Sequence, residues 1–308
     1  ETSKIFVSTN KCLDQKYDWC NAMMQVVVRD GDNIKMNFTG EGEVDSQLVL
    51  DKIDADKDEV IDIALKLLNA RPIEAGTYDI ICDPAVAGLI AHEAFGHGVE
   101  MDMFVKERAK AVQYVGKRVA SDVVNMYDGA ASCVSAASYF FDDDGVEAGK
   151  TNIIKNGILQ TGISDCLSAM ELGTTPTGNG RRESYKRKVY TRMTNTFFDA
   201  GNDSVEDMIK SIKHGYYLCQ SSNGMEDPKN WQIQCTAGYG IEIVDGKLTD
   251  HIVAPVVISG SVVELLNSIS MVSKDVHIFG MGMCGKGHKE WVFVSDGGPY
   301  LKGKAKLS

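Results

Sequence analysis

The sequence has no run of eighteen consecutive apolar residues, so it predicts no transmembrane helix. It also has no excess of basic residues, because 43 Asp and Glu against 32 Lys and Arg leave a formal net charge of −11. A chain of that sign argues against nucleic acid as the main partner, since phosphate binding needs a cationic surface. We therefore expect neither a membrane nor a nucleic-acid partner.

Paired cysteine motifs are absent as well: the eight cysteines are scattered and none forms a CxxC. In a chain of 308 residues such cysteines are typical of reduced thiols, which favours a cytoplasmic protein. The chain starts at Glu1 and shows no basic-then-apolar leader, so we expect a fragment or a processed product and no secretory precursor.

Two blocks can be distinguished along the chain. Residues 1–72 contain a predicted β-hairpin at 22–39 and a predicted helix near 55–70, which Pro72 ends. This block is typical of the last part of a domain whose beginning is absent. We therefore place a domain boundary after residue 72.

Strands and short helices alternate in the second block. A strand at 78–82 leads to Asp83-Pro84, a helix start with Asp as N-cap and Pro in the first turn. The remaining predicted elements are a less regular helix at 102–114, hairpins around Asn156-Gly157 and Asp245-Gly246, and helices after Ser204 and Ser261. The helix after Ser204 is expected to end before Gly215, and the strand after Asn156-Gly157 to cover 158–163.

The segment His92-Glu93-Ala94-Phe95-Gly96-His97 carries the strongest chemical signal. Imidazole nitrogens suit zinc, and metallopeptidase helices usually place two histidines four residues apart on one face. Here the spacing is five, and at about 100° per residue the two side chains diverge by about 140° on a regular α-helix. A π-type turn brings such positions back towards alignment, and Gly96 and Gly98 allow the helix to loosen. The sequence therefore predicts a metal site with a bulged or unwound helix between the histidines.

Glu93 is the candidate general base, because a carboxylate near a zinc-bound water can take its proton and pass it to the leaving amine. Two ordinary helix histidines and a solvated acid are the alternative, and the His-Glu-xxx-His pattern on a capped helix favours the metal site. A catalytic zinc takes three protein ligands, and the residues alone leave the third open. Its candidates are Cys284, His277, His288, Cys133 and many carboxylates. Cys284 stands in a glycine-rich segment beside Lys286, which would favour a thiolate.

Four segments together resemble the TldD branch of the TldD/PmbA metallopeptidase family. They are His-Glu-Ala-Phe-Gly-His-Gly-Val-Glu (92–100), Pro-Thr-Gly-Asn-Gly-Arg-Arg-Glu-Ser-Tyr (176–185), Arg-Met-Thr-Asn-Thr (192–196) and Met-Cys-Gly-Lys-Gly (283–287). They occur in the family's order, and the resemblance covers about residues 75–295. The sequence departs from the family in lacking most of the N-terminal domain and in having His288 where Gln is expected.

The resemblance implies that His92, His97 and Cys284 bind one zinc ion per chain and that Glu93 is the catalytic carboxylate. It implies an α+β fold class with two domains. Residues 73–308 would form a catalytic β-rich C-terminal domain, with a curled antiparallel barrel-like sheet and flanking helices. Residues 1–72 would be the C-terminal remnant of an N-terminal α/β domain.

The resemblance also implies how the protein works. Family members act as dimers that enclose the active site, so a homodimer or a heterodimer with a TldE/PmbA-like subunit is expected. The substrates would be small or unfolded peptides, such as microcin precursors. Two alternatives stay open: a non-catalytic partner or modulator subunit of such a complex, and another zinc-dependent amide hydrolase. An intact Glu93 and a full ligand set argue against the first alternative.

The family segment at 176–185 supplies candidates for substrate binding. Arg181 and Arg182 could hold a carboxylate of the substrate in a bidentate fork. Asn179 and Tyr185 belong to the same segment, and Tyr185 could donate to an oxyanion. The alternative for the tyrosine is simple packing, and for the neighbouring basic residues a solvated loop.

Overall fold

Strands predominate in the computed structural model, which describes residues 1–287 and 289–308. Its strands are β1 (Thr2–Val7), β2 (Cys12–Tyr17), β3 (Cys20–Asp30), β4 (Asn33–Glu43), β5 (Gly76–Cys82), β6 (Met126–Asp128), β7 (Thr151–Lys155), β8 (Ile158–Leu159), β9 (Gly180–Arg181), β10 (Tyr190–Thr191), β11 (Asn195–Phe198), β12 (His214–Asp227), β13 (Gln232–Val244), β14 (Lys247–Val253), β15 (Val256–Ser261), β16 (Met271–Val272), β17 (His277–Cys284), β18 (Val292–Gly298) and β19 (Leu301–Leu307). Its α-helices are α1 (Ser46–Leu67), α2 (Pro84–Leu89), α3 (Met101–Val105), α4 (Cys166–Leu172), α5 (Val205–Lys210) and α6 (Val262–Ser268). A π-helical segment covers Ile90–Gly96, and 3₁₀ turns cover His97–Val99 and Lys110–Tyr114. Within the described ranges, no helix has the length and apolar character needed to cross a membrane.

Five strands close a barrel. In it β12 pairs with β13, β13 with β15, β15 with β19 and β19 with β5, all antiparallel, and β5 closes the ring by a parallel pairing with β12. The predicted β-rich fold with a barrel-like sheet and flanking helices is confirmed, although one pairing is parallel. That pairing is possible because a long excursion of the chain separates β5 from β12.

A second sheet lies across the histidine-bearing helix from the barrel. Its order is β17-β18-β11-β6-β7-β8. The helical segment formed by α2 and the π-helix contacts β12 and β13 of the barrel on one side and β18 and β11 of the second sheet on the other. Its apolar side chains Val86, Ile90 and Phe95 are buried there. The histidine-bearing helix is therefore held from two sides.

The N-terminal block consists of hairpins and one long helix. The predicted hairpin is confirmed as β3 and β4, joined by a two-residue turn between the paired Asp30 and Asn33. The helix predicted near 55–70 starts nine residues earlier, at Ser46, because Asp45 caps it by accepting the N–H of Gln47. The α/β character of this block and the domain boundary after residue 72 stay predictions.

The two short hairpin signals are also confirmed. Asn156 and Gly157 have φ angles of 48° and 76°, and Asp245 and Gly246 have 47° and 76°. Positive φ at both central residues defines the turn that matches the twist of the flanking strands.

Two predicted elements differ in extent, and a third agrees. The helix expected at 102–114 breaks into α3 and a 3₁₀ turn, and Glu107 between them has a φ of 54°. The helix after Ser204 covers Val205–Lys210 and so ends before Gly215, as expected. The strand expected at 158–163 ends at Leu159.

A buried carboxylate ties the second sheet to the segment that carries the family-like arginines. Asp128, at the end of β6, is 1% exposed. It accepts hydrogen bonds from the backbone N–H of Thr194 at 2.9 Å, the Thr194 hydroxyl at 2.8 Å and the Thr196 hydroxyl at 2.6 Å. The side-chain amide of Asn179 donates to it at 2.6 Å. This carboxylate therefore fixes both ends of the chain between Asn179 and Thr196.

We expect Asp128→Ala to lower the free energy of unfolding by about 3 kcal/mol, because it leaves several buried donors without an acceptor. Urea unfolding followed by circular dichroism measures the loss. Asp122→Ala is the matched control, since the Asp122 side chain is 80% exposed and makes an ion pair with Arg118 at the surface. Equal effects of the two substitutions would contradict the assignment of Asp128 as a structural centre.

Candidate metal centre

The helix that carries both histidines begins at a well-defined cap. Asp83 follows β5 directly, and its carboxylate accepts the backbone N–H of Val86 at 2.7 Å. Pro84 occupies the first turn, where its missing N–H costs nothing. The cap and β5 together fix where each later residue of the helix points, as the sequence predicts.

The predicted distortion between His92 and His97 is confirmed. The backbone N–H of His97 donates to the carbonyl of His92, which is five residues earlier and defines a π-helical turn. A 3₁₀ turn at His97–Val99 then ends the helix. Because the turn spans five residues, both imidazoles lie on the same side of the helix. Their ring centroids are 5.1 Å apart, with the ring planes nearly perpendicular at 88°.

Cys284 completes a cluster with the two histidines. One potential ligand atom from each of His92, His97 and Cys284 lies within 4.8 Å of the others. Among the described residues, these three form the metal-type cluster, a group of His, Cys, Asp or Glu side chains close enough together to hold one metal ion. The Cys284 Sγ lies 3.4 Å from His97 Nε2. In a tetrahedral zinc site with the usual bond lengths, sulfur and nitrogen ligands are separated by roughly 3.5 Å. The separation of Cys284 from His97 therefore suits a shared zinc ion, and His92 lies close enough to supply the third ligand.

The environment of Cys284 favours the form that binds metal. Burial opposes ionisation, but the hydrogen bonds and charges of His92 and His97 lower the pKa of the Cys284 thiol to about 5. A thiolate, and not a thiol, is the metal ligand. His92 is buried, and its Nδ1 has no hydrogen-bond partner within the described part of the chain. This donor set, two imidazoles and one thiolate, is typical of zinc.

The other candidates for the third ligand lie elsewhere or are not described. The Nε2 of His277 is 3.3 Å from Glu41 Oε1 and belongs to no metal-type cluster of the described residues. Cys133 is likewise outside that cluster. His288 lies outside the described residues. Cys284 is thus the candidate that the fold brings to the histidines.

Glu93 lies beside the cluster and lines the adjoining cavity. Its Oε2 is 3.8 Å from His97 Nε2. Burial raises the pKa of Glu93, and this effect exceeds the lowering by His92 and His97. A carboxylate with a raised pKa is a stronger base at neutral pH, as proton transfer in a hydrolytic reaction requires.

A buried ion network supports the cluster from behind. Glu100 Oε2 lies 3.6 Å from His97 Nδ1 and 3.0 Å from the ammonium of Lys286. The guanidinium of Arg192, which is 1% exposed, lies 3.5 Å from Glu100 Oε1 and donates to the carbonyl of Cys284 at 2.8 Å. Burial alone would raise the pKa of Glu100, but the charges of Lys286, His97 and Arg192 together hold it well below its usual range. Lys286, expected to favour the thiolate, instead joins Glu100 to Asp102 at 2.8 Å.

This network was not predicted from the sequence. Glu100 closes the segment 92–100, and its position three residues after His97 is the signal that could have identified it. A carboxylate behind a ligand histidine fixes the orientation of the ring and is a common feature of metal sites. Arg192 carried no comparable signal, because its contact with Cys284 joins positions 92 residues apart.

A large cavity opens in front of the cluster. Its volume is about 1060 Å³. Its apolar walls include Met23 and Phe38 from the N-terminal hairpin, Met225 from β12, and Met281 and Trp291 from the region of β17 and β18. The cluster therefore faces an extended space with apolar walls.

The four predicted substrate residues lie apart from this cavity, whose described lining includes none of them. Asn179 is fully buried and donates to Asp128 and to the carbonyl of Arg192, while Arg181 donates to the carbonyl of Met193 at 2.7 Å. The backbone of Arg182 donates to Asp143 at 3.0 Å, and Tyr185 is 78% exposed. Substrate binding by these residues stays a prediction, because their observed contacts are with the protein itself.

The sequence is similar to those of known metalloproteases. A family model described as the PmbA/TldA metallopeptidase C-terminal domain matches residues 75–305. A metalloprotease of Methanocaldococcus jannaschii is 31% identical over 302 residues, which cover 98% of this chain and 66% of that protein. A zinc metalloprotease TldD homolog of Saccharolobus solfataricus is 35% identical over 234 residues, or 75% of this chain and 51% of that protein.

The fold has a match among solved structures. The crystal structure of TldE from Thermococcus kodakarensis superimposes with a TM-score of 0.74 at 23% identity, over 96% of this chain and 64% of that one. At this identity the likeness concerns the fold alone. The chain spans 66%, 51% and 64% of the lengths of these three proteins, so each of them is considerably longer.

We expect wild-type protein to bind about one zinc ion per chain, and Cys284→Ala and His97→Ala to lose most of it, because each removes a ligand from a three-ligand site. Elemental analysis after zinc loading and dialysis measures the stoichiometry. Cys133→Ala and His251→Ala remove the same residue types outside the cluster and are expected to keep full zinc. Full zinc in both ligand variants would show that the metal lies elsewhere.

Proposed function

Because this chain belongs to the PmbA/TldD family of metallopeptidases, we propose that it is a zinc peptidase in which His92, His97 and Cys284 hold the metal. The observation that carries this proposal is the meeting of the three side chains and Glu93 at one wall of a large cavity. The names of the relatives, metalloprotease and zinc metalloprotease, support the same class of reaction.

The role of the metal follows from its ligands. Zinc bound there supplies a Lewis acid that polarises the scissile carbonyl. The thiolate of Cys284 would bring a negative charge to a bound zinc ion and make it a weaker Lewis acid than neutral ligands alone would. Catalysis should then depend more strongly on the protein's own acid–base group. Glu100 would keep the His97 ring in the orientation that presents Nε2 to the site.

Glu93 is proposed as the general base and then the general acid. Its carboxylate takes a proton from the attacking water, holds it, and gives it to the nitrogen of the leaving amine. Both transfers use the same carboxyl group, so it must be ionised before the attack and protonated after it. The raised pKa of Glu93, caused by burial, makes the protonated form easier to reach.

The size and lining of the cavity favour peptides over a small metabolite. Its volume of about 1060 Å³ lies just above the range for small-molecule pockets, about 300–1,000 Å³. Methionines such as Met23, Met225 and Met281 line it, and their flexible side chains adapt to varied sequences. We therefore propose small or unfolded peptides as the substrates.

An exposed apolar surface is an argument for a partner subunit. On the outer face of the hairpin, Val27 and Met36 are paired and 59% and 57% exposed, and Ile34 is 55% exposed. Exposed apolar faces of this kind usually mark interaction sites. A second copy or a TldE-like subunit is the partner proposed, in line with the likeness of the fold to TldE.

Glu93→Gln is the direct test of the proposed reaction. We expect peptide hydrolysis to fall by about 10²–10⁴-fold, the usual contribution of a general base, while zinc content stays unchanged. Initial rates on an internally quenched peptide, with metal analysis of the same preparation, measure both. Glu264→Gln, on an exposed helix position, is the matched control. Retained activity in Glu93→Gln would remove Glu93 from the mechanism.

A second test changes the position of Glu93 without altering its chemistry. A Cβ added at Gly224 of β12 would lie 2.6 Å from Glu93 Cγ, so Gly224→Ala must displace the carboxylate. We expect kcat/KM to fall at least about tenfold with zinc retained, since small displacements of catalytic groups are costly. Gly149→Ala is the control, because its Cβ meets only the carbonyl of Thr177, at 3.3 Å. An unchanged kcat/KM in Gly224→Ala would mean that the placement of Glu93 is not critical.

A further inference from the structure

Glu226 is a buried carboxyl group in the cavity to which the proposed mechanism gives no role. It belongs to β12 and lines the same cavity as Glu93. Neither of its carboxylate oxygens is exposed, and neither makes a hydrogen bond of normal geometry in the described part of the chain, although the backbone N–H of Gly98 lies close enough to lower its pKa. A buried carboxyl without a side-chain partner costs free energy, so a group that is absent from the isolated protein is the natural explanation.

The strand places Glu226 close to the proposed reaction. Gly224 lies against Glu93, and the Oε1 of Glu226 lies 2.6 Å from the point where a Cβ on Gly98 would stand. Gly98 follows His97 directly, and a larger residue there would push the carboxyl group of Glu226 from its present position. Residues two apart share one face of a strand and are separated by about 7 Å. Glu226 is thus one to two residues of extended peptide away from Glu93.

The charge around Glu226 is not balanced. Nearby cationic side chains are already engaged: Lys286 contacts Glu100 and Asp102, and Arg192 contacts Glu100. Among the described residues, no Lys, Arg or His nitrogen lies within ion-pair distance of Glu226. Burial raises the pKa of Glu226 well above its usual range, with Glu93 and Glu100 adding to this effect and His97 opposing it. A positive charge brought beside it would reverse that shift and form a desolvated ion pair.

We propose that Glu226 binds a primary ammonium group of the peptide substrate, within one or two residues of the scissile bond. This inference rests on the proposed peptidase function and names its substrate class. An ammonium is compact and carries three donors, so two carboxylate oxygens in a small space can accept from it. The ammonium can come from a free amino terminus or from a lysine side chain, because both present the same chemistry.

Peptide binding to metal-free protein tests the inference separately from catalysis. Two pairs of short fluorescent peptides serve as probes: free against acetylated amino terminus, and lysine against norleucine. We expect wild type to bind the cationic member of at least one pair about tenfold or more tightly, as a charge-assisted hydrogen bond requires. Glu226→Gln should bring that ratio close to one, and Glu264→Gln should leave it unchanged. The pair that shows the preference identifies the source of the ammonium.

Two results would overturn the inference: equal affinity of wild type for both members of both pairs, or a preference that Glu226→Gln retains. Thermal unfolding shows whether the variant is folded, and Glu226→Met, which keeps the length without a polar atom, replaces it if Gln is not tolerated.

The same peptides are then offered to zinc-loaded wild type. A charge preference in binding without any cleavage would refute the proposed function and keep the ammonium site. Cleavage without a charge preference would support the proposed function and refute the ammonium site.

Discussion

The five-residue spacing of His92 and His97 is the constraint on which the site depends. A regular α-helix would point the two rings in different directions, and the π-turn removes that difference with one wider hydrogen-bonded ring. Such a turn is rare because it packs its backbone less well, so it needs support from outside. Here the helix lies between the barrel and the second sheet, with Phe95 fully buried between the two histidines. The packing of two sheets thus maintains a local geometry that the helix alone would not adopt.

Cys284, the third of the proposed ligands, is held by charge as much as by packing. Cys284 ends β17, and its carbonyl accepts a hydrogen bond from Arg192. Lys286, two residues after Cys284, forms an ion pair with Glu100. Glu100 in turn lies behind His97. Burying ions is expensive unless each finds partners, and here one carboxylate serves two cations and one imidazole. The network therefore couples the distant Cys284 loop to the helix, and removal of one member would leave the others buried and uncompensated.

Several features of the fold and the site could be predicted from the sequence, because they depend on residues that are close together in the chain. The cap at Asp83, the turns at Asn156-Gly157 and Asp245-Gly246, and the distortion before His97 depend on neighbouring residues and followed from spacing and residue type. The helix α1 starts nine residues before its predicted start, because Asp45 caps it and the helix extends beyond the apolar residues whose spacing predicts it. The closure of the barrel, the contact of Arg192 with Cys284 and the position of Glu226 join residues far apart in the chain. No periodicity or spacing encodes them. The residues alone left Cys284 as one of several candidates for the third ligand, and the family resemblance singled it out.

Three glutamates around the same histidines illustrate how environment separates roles. Glu100 is surrounded by Lys286, Arg192 and His97, which keep it ionised and fixed, so it can orient a ring but cannot exchange protons near neutral pH. Glu93 experiences opposing influences, burial against two imidazoles, and burial prevails so that its pKa is raised, as the proposed proton transfers require. Burial raises the pKa of Glu226 well above its usual range, and His97 and the backbone N–H of Gly98 oppose this only in part. Similar side chains in one small region thus suit the three different roles proposed for them, a support, a base and a receptor, and the difference lies in which positive charges the fold places beside each of them.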